Sequence, residues 1–466
     1  MTESTKISRR SFLQALGALT LSGSLAACGG TGKAKSDRLA AGSLAYTPDE
    51  VVTVEFSDGG ITVSPEDAAG LAVEGTALSV SGAGVYALSG RCADGSVKVE
   101  AQTEDVVLLL DGLTLTSADT APIVCGESTG VTIAVVDGTE NTLTDSEAND
   151  PDNAADNENA EKAVVKCKDG SQVVLCGGGA LTVNALGKNG IKSGTALDDR
   201  DASLTIRELT LNIEALVNDA INAEQRLKVE SGNLTIAAGE DAIHCDMELH
   251  IGAEGTTGPA ITVSTCGEGL EGAVLNIYSG NMDITSTDDC LNAANSDLGD
   301  YAFEINISGG TIKAYSSEGD GFDSNGTLTI TGGDISVWTA NAADNQPLDA
   351  DGRITISGGT VLAAGGSAGM GFSISASQPC VTFGGGRDSS LSLAGGEAFS
   401  IADESGKSVL DSTALCDAAF LFYSSPALTA EGRYSVQPTV TATAKTGEAD
   451  TRFGGNGGPG GSGGQR

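Results

Sequence analysis

The chain has 466 residues, in which 25 Lys and Arg stand against 63 Asp and Glu, so its formal net charge is −38. Such an acidic surface repels the phosphate backbone, which excludes nucleic acid as a partner and makes multivalent cations the first ligands to consider. Glycine is abundant, with 65 residues, and aromatic residues make up only 4% of the chain, a profile that favours closely spaced turns.

The N-terminal segment predicts export. Residues 8–14 read SRRSFLQ, with the paired arginines of the twin-arginine signal class. The apolar run at 11–27 is shorter than the roughly 20 residues of a membrane-spanning helix, and small residues precede Cys28 as in bacterial lipoprotein processing sites. We therefore expect a signal peptide at 1–27 and a lipid on Cys28. This lipid would be the protein's only attachment to the membrane, on the extracytoplasmic face of the cell membrane.

A simple cleaved signal without a lipid is the alternative at this end. After Cys28, residues 28–46 are rich in Gly, Ser, Lys and Ala, a composition typical of a flexible tether. The sequence thus predicts that the folded body starts at Thr47 and extends over 47–445.

Internal repeats dominate the folded body. Short alternating strands run into a glycine at residues 227–233 (LKVESGN), 275–281 (LNIYSGN), 305–311 (INISGGT), 328–334 (LTITGGD) and 354–360 (ITISGGT). With one further copy near Gly255, the repeat length is about 23–30 residues, and no helical periodicity separates the strands. This pattern predicts an all-β fold in which the repeats are the coils of a parallel β-helix. A β-sandwich or a propeller is the alternative.

Two segments depart from the repeats. Residues 141–162 are acidic and poor in apolar side chains, which predicts a solvated, disordered loop insertion. The tail at 446–466 is rich in glycine and is expected to be unstructured. Nine cysteines follow Cys28 without any C-x-x-C spacing, so we expect most of them to be small buried hydrophobic side chains and not disulfides or zinc ligands.

An acidic turn recurs beside the strands. Each copy has two polar positions, a small residue, an aliphatic or Phe side chain that points inward, and a polar residue that points outward. Seven copies occupy residues 188–193, 218–223, 240–245, 267–272, 288–293, 319–324 and 345–350. Each coil therefore presents two oxygen-bearing side chains at one corner.

The stacking of successive coils brings their acidic turns close together, which predicts metal sites. Adjacent strands lie about 4.8 Å apart, and two carboxylates at about 5 Å repel by roughly 3 kcal/mol at an effective dielectric near 20. Calcium takes six to eight oxygens at about 2.4 Å, so one ion bridges two coils, whereas magnesium needs tighter octahedral geometry. The alternative is that Asp and Asn only stabilise the turns. The predicted calcium ligands are Asp219, Asn222, Asp241, Asp289, Asn292, Asp320, Asp323, Asp349 and Asp351.

The order of several short motifs resembles a known family, the bacterial carbohydrate-binding domain proteins with a calcium-binding, pectate-lyase-like, right-handed parallel β-helix. The motifs are LLLDGLTL at 108–115, API at 121–123, DGTENTLTD at 137–145, GIKS at 190–193, the copies around Asp241 and Asp320, and YSSPAL at 423–428. The resemblance covers about 50–440 and implies binding of cellulose-like or polygalacturonate-like polysaccharide with no cofactor besides calcium. The turn pattern departs from the family's at Asn189, His244, Glu268, Glu271 and Pro347, which puts a metal site in doubt there.

Three functions follow from these observations. We favour a surface lipoprotein that binds polysaccharide without catalysis, with Trp338, Tyr315, Phe322 and Tyr278 as a strip on which sugar rings stack. A calcium-dependent polysaccharide lyase would need a basic residue beside the metal, for which Lys188, Lys192, Lys313 and Arg353 are candidates. A β-helical adhesin or envelope scaffold is the third.

Overall fold

The computed structural model describes residues 39–299, 301–340, 345–366, 373–384, 391–437 and 440–450. Within these ranges the regular structure is β-strand apart from two single-turn 3₁₀ helices, Pro48–Glu50 and Glu147–Asn149. The predicted all-β class is therefore confirmed. The predicted signal peptide, Cys28 and the tail from 451 onward lie outside the described residues. None of the helices in the described ranges has the length and apolarity needed to cross a membrane.

Most strands belong to three parallel columns in which each strand pairs with the equivalent strand of the next repeat. In the repeats that carry an acidic turn, the strand of the first column lies within the six residues of that turn or begins there. It contains Ala77–Val80, Ser96–Val99, Ile123–Cys125, Ala163–Cys167, Asn189–Ser193, Ile221–Ala223, the first parts of Ile243–Ile251 and Leu270–Ile277, then Leu291–Ala293 and Phe322–Ser324.

The second column follows the first along each repeat. It contains Val51–Ser57, Gly84–Cys92, Val106–Thr116, Gly130–Val135, Gln172–Gly177, Ser203–Ile206, Arg226–Val229, the second parts of Ile243–Ile251 and Leu270–Ile277, then Glu304–Ile307, Thr327–Ile330, Ile354–Ile356 and Ser373–Gly384.

The third column closes each repeat after the glycine. It starts at the ends of Gly84–Cys92 and Val106–Thr116 and continues through Glu140–Thr144, Ala180–Asn184, Thr210–Ala215, Asn233–Ala238, Ala260–Thr265, Asn281–Ser286, Thr311–Ser316, Asp334–Thr339 and Thr360–Gly365. The large sheet is mixed, because the antiparallel strands Gly60–Ser64, Leu71–Glu74, Phe420–Ser424 and Lys445–Asp450 pair near its two ends.

The core is a continuous stack of aliphatic side chains. In the second column Leu227, Leu249, Leu275, Ile305 and Leu328 lie in register, all 0% exposed. Each such side chain contributes about 1.5–3 kcal/mol on burial. The alternation that buries them turns their neighbours outward, so each repeat presents a regular set of outward positions. The nine cysteines of the described residues are unpaired and eight are buried, as expected for small hydrophobic side chains.

The folded body begins earlier than predicted. Leu39–Ala41 and Leu44–Tyr46 form an antiparallel hairpin, and Ala41 is fully buried in a cluster with Ala134 and Cys176. The amide of Gly42 donates to Asp137 Oδ1 at 2.7 Å. The predicted tether at 28–46 is therefore wrong over residues 39–46, because this short polar-flanked segment packs on the sheet.

The acidic insertion at 141–162 is ordered, contrary to the prediction. Its first residues belong to the strand Glu140–Thr144. Asn149 is fully buried and donates to Asp145 Oδ2 and the Ala163 carbonyl, both at 2.9 Å. The other Asp145 oxygen accepts from the amides of Leu186 and Gly187 at 2.6 and 3.1 Å. A buried carboxylate with these partners holds an acidic segment in place, which composition does not reveal.

The C-terminal part is also different from the prediction. Ala398–Asp403, Ser408–Thr413, Arg433–Gln437 and Val440–Thr443 form a separate four-stranded antiparallel sheet, so 47–445 is not one uniform run of repeats. Lys445–Asp450 pairs with Ser373–Gly384, which corrects the predicted start of the unstructured tail at 446.

Candidate functional site

The acidic turns align into one column, which we call the acidic column. Its outward members are paired along the first column of strands in the order Asn222, His244, Glu271, Asn292, Asp323, and the bridge between Phe322 and Leu348 places Asp349 next. Three residues before each outward member lies its turn member. The turn members are Asp219, Asp241, Glu268, Asp289, Asp320 and Gln346.

The turn carboxylates connect successive repeats. Asp289 Oδ1 accepts a hydrogen bond from the Asp320 amide at 2.6 Å, and Asp320 Oδ1 accepts one from the Gln346 amide at 2.5 Å. Asp219 Oδ1 accepts in the same way from the Asp241 amide at 3.2 Å. Each bond occupies one oxygen of a carboxylate, so the other oxygen remains for a ligand or a neighbouring side chain. These carboxylates therefore do stabilise the turns, as the alternative interpretation of the pattern predicted.

Three carboxylates converge near the C-terminal end of the acidic column. Oxygens of Asp320, Asp323 and Asp349 lie within 4.8 Å of one another, and all three side chains are half-buried. Asp351 was predicted to join them, but it is exposed and outside this group. The structure thus brings together three of the predicted ligands from two adjacent repeats.

Burial and mutual repulsion make these carboxylates unfavourable in their charged form. Burial, with smaller contributions from neighbouring carboxylates, raises the pKa of Asp289 and of Glu268 to about 8. The same causes raise the pKa of Asp320 to about 7 and that of Asp323 to about 6. Ionisation of the whole group near neutral pH therefore calls for a compensating positive charge.

Two buried amide oxygens flank this group without a partner. Asn292 is 8% exposed, and its Nδ2 donates to Glu268 Oε2 at 2.9 Å, while its Oδ1 has no hydrogen bond. Gln346 is 2% exposed and its Oε1 also lacks a partner. A buried oxygen without a donor costs about 1–3 kcal/mol. Carboxylate and amide oxygens are the donor set of calcium, so the residues fit that ion.

The middle of the acidic column carries its own cation. His244 Nδ1 contacts Asp241 Oδ2 at 3.1 Å and also Glu271 Oε2, while Nε2 contacts Asp246 Oδ1 at 2.7 Å. Burial opposes the charged imidazole, but the three carboxylates outweigh it and raise the pKa of His244 to about 12. An imidazolium thus neutralises the predicted ligand Asp241.

A lysine reaches the N-terminal end of the acidic column through an asparagine. Asn222 donates to Asp219 Oδ2 at 2.7 Å and accepts from Lys192 Nζ at 2.8 Å, and Lys166 precedes Lys192 in the same register. Asp219 is only 5% exposed. The outward positions therefore change from lysine through histidine to carboxylate along the column. Glu268, which the sequence marked as a departure, lies within its acidic half.

The predicted sugar-stacking strip is wrong for two of its four residues. Of the other two, Tyr278 is half-buried on the second column. Trp338 is fully buried in an apolar cluster with Phe399, Ile401 and Tyr434, which we call the C-terminal cluster. Its ring lies 6.1 Å from that of Phe399 in an edge-to-face arrangement. It is buried because the C-terminal sheet covers its face of the third column. Phe322 is fully buried in the main core, in register with Leu291. Tyr315 is half-buried against the C-terminal cluster.

Comparison with known proteins gives one family. The model of the carbohydrate-binding domain-containing protein family matches residues 74–369, more than half of the chain. A curated relative with that description, from Acetivibrio thermocellus, is 29% identical over 184 residues, which are 39% of this chain and 60% of that protein. The chain thus spans about three fifths of that relative's length.

Among solved structures, the polysaccharide lyase-like protein from C. thermocellum, a gadolinium derivative, aligns with a TM-score of 0.36 and 22% identity. The alignment covers 66% of this chain and 96% of that one.

Proposed function

Since the chain belongs to the carbohydrate-binding domain-containing protein family, we propose that it holds polysaccharide outside the cell without cleaving it, and that calcium on the acidic column stabilises it. The family supports carbohydrate as the ligand. The observation that carries the calcium part is the group of Asp320, Asp323 and Asp349 beside the unpartnered oxygens of Asn292 and Gln346.

The three parallel columns support a right-handed parallel β-helix as the fold. Successive repeats pair strand by strand in all three columns, and the inward positions form one continuous aliphatic cluster. The three columns would be the faces of one solenoid. An experimental structure would test this, and a left-handed or flat arrangement of the columns would contradict it.

Calcium would be held by side chains that the fold already brings together. Asp320, Asp323 and Asp349 supply carboxylate oxygens, with Asn292 and Gln346 as neighbouring amide donors. When bound, the ion supplies the positive charge that these carboxylates lack. The imidazolium of His244 has that role in the middle of the column, so the acidic half is the part that needs a metal.

Nothing in the described residues favours the lyase alternative. Each basic residue proposed as its base is paired with a carboxylate: Lys313 with Asp283 at 3.0 Å, Lys192 with Glu224 at 3.0 Å, Lys188 with Asp152 at 3.6 Å, and Arg353 with Glu448 at 3.7 Å. A basic side chain that is already engaged by a carboxylate is poorly placed to take a proton from a substrate. A net charge of −38 also disfavours direct binding of a polyuronate, so a neutral polymer, or calcium between the two polyanions, is needed.

Sedimentation with insoluble polysaccharides tests this function. The purified calcium-loaded protein is mixed with cellulose and with insoluble pectate, and the supernatant is assayed for ultraviolet-absorbing unsaturated uronates. We expect co-sedimentation with polysaccharide and no absorbing product. Absorbing product would establish the lyase alternative. Absence of both co-sedimentation and product would favour the alternative of an adhesin or envelope scaffold.

The export motifs complete the proposal, with twin-arginine export and a lipid on Cys28 holding the protein at the extracytoplasmic face of the cell membrane. We expect Cys28→Ser to move the protein from the membrane fraction to the soluble fraction of a producing bacterium, because a lipid chain contributes about 0.8 kcal/mol per buried methylene. Immunoblots of both fractions measure this, with Cys416→Ser as the matched control. Unchanged membrane association of Cys28→Ser would contradict the anchor.

A further inference from the structure

A shallow depression lies on the second column, away from the acidic column. It has a volume of about 290 Å³ and is lined by Lys228, Glu230, His250, Gly252, Glu254 and Tyr278, with Ala253 at its rim. The calcium proposal does not use this place. Tyr278 is its one member that belongs to the predicted sugar-stacking strip.

A glycine creates the depression. The hydrogen bonds from the Gly252 amide to the Val229 carbonyl and from the Tyr278 amide to the Ile251 carbonyl place Glu230, Gly252 and Tyr278 at the same position of three successive repeats. Gly252 has no side chain to fill the space between its two neighbours, and its φ of +69° together with the close approach of Ser279 favours glycine there. Strand spacing leaves about 10 Å between the neighbouring positions.

An aromatic platform forms one wall. The rings of His250 and Tyr278 are stacked with an interplanar angle of 14° and a centroid distance of 6.1 Å, and the Tyr278 hydroxyl lies 3.4 Å from His250 Nδ1. Both side chains are half-buried, so each presents part of its surface to solvent. Stacked neighbours restrain each other's rotamers, which lowers the entropy lost when a ligand binds.

Polar groups surround the platform. The exposed amine of Lys228 lies in register with His250, and the carboxylates of Glu230 and Glu254 complete the rim. Ammonium and carboxylate groups beside an aromatic surface suit a ligand with many hydroxyls and an apolar ring face. Two carboxylates against one amine, on a chain of net charge −38, disfavour an acidic sugar.

We propose that this depression is a binding site for a neutral polysaccharide, in which the C–H face of a pyranose ring stacks on Tyr278 while Lys228, Glu230 and Glu254 bond to its hydroxyls. This assignment rests on the proposed function and specifies the binding surface and the class of sugar that it binds. A β-linked glucan, whose ring substituents are equatorial, presents the flat apolar face that such a platform requires.

Binding of cellulose by single-site variants tests this site. We expect Tyr278→Ala to bind about tenfold more weakly than the natural protein, because it removes the stacking surface. Tyr278→Phe keeps the ring and should bind nearly as well. Tyr301→Ala, a half-buried tyrosine outside the depression, should bind normally. Circular dichroism melts of all three variants verify that the fold is intact.

The outcomes separate the site from the function. If the natural protein sediments with cellulose and Tyr278→Ala does so equally well, the site is overturned while carbohydrate binding stands. If the natural protein sediments with no polysaccharide, the proposed function itself is overturned. Preferential binding to polygalacturonate that survives calcium chelation would also contradict the neutral-sugar assignment.

Discussion

Calorimetric titration of the metal-free protein with calcium should lose one binding event when Asp320 is replaced by asparagine. The substitution keeps the oxygen that accepts the Gln346 amide, so the backbone contact survives. It removes one of the three carboxylates within 4.8 Å of one another. We expect calcium at about 100 times its dissociation constant to stabilise the natural protein by about 2.7 kcal/mol per site and to stabilise Asp320→Asn by clearly less.

Asp351→Asn is the matched control for this experiment. Asp351 is exposed and outside the group of three, so its replacement should leave the stoichiometry unchanged and alter the affinity only slightly. An unchanged stoichiometry in Asp320→Asn, or a loss in Asp351→Asn alone, would show that the ion binds elsewhere. Thermal melts with and without a chelator give the same comparison through stability.

The local repeats made the acidic column predictable. The recurring six-residue turns predict which side chains share an outward position, and the register confirms this for Asn222, Asn292 and Asp323. The same pattern could not show that the Asp351 side chain is exposed to solvent, because this depends on the direction in which the chain leaves the acidic column.

Long-range packing set the limits of prediction. Trp338 occupies an outward position of its strand, yet a sheet formed 60 or more residues later along the chain covers it. The hairpin at 39–46 packs on strands far away in sequence. In both cases the contact joins segments that are far apart in sequence, so no local pattern indicates which surface is covered.

The distribution of charge along the acidic column could not be predicted from composition. The net charge of −38 suggests uniform repulsion, but His244 pairs with carboxylates in the middle of the column, and Lys192 bonds to Asn222 at its N-terminal end. The sequence marked His244 as a departure and implied a lost metal site there. The structure adds that an imidazolium occupies that role, which leaves the cation requirement to Asp289, Asp320, Asp323 and Asp349.

In the presence of a chelator the protein should become more stable as the pH falls from 8 to 5, the opposite of ordinary acid denaturation. The folded-state pKa of Asp289 and Glu268 is raised to about 8 from ordinary values of 3.8 and 4.5, so the folded protein binds protons more tightly than the unfolded chain. The resulting stabilisation is complete below the ordinary values and is lost progressively as the pH rises from them to about 8. Each of the two groups contributes about 1.4 kcal/mol per pH unit in this interval, so we expect a gain on the order of several kcal/mol from pH 8 to pH 5.

Saturating calcium should flatten this pH dependence, because the ion and the protons neutralise the same carboxylates and compete for them. His244, whose pKa is raised from 6.5 to about 12, stays protonated in the folded protein while the unfolded chain loses this proton near pH 6.5. It therefore adds a slope of the same sign above about pH 6.5, and this part should remain when calcium is bound. Chemical denaturation followed by circular dichroism at several pH values measures both curves, and Asp289→Asn should reduce the slope seen with chelator. A chelated protein that loses stability steadily on acidification would mean that these carboxylates are already compensated within the chain, and the case for a metal on the acidic column would fall with it.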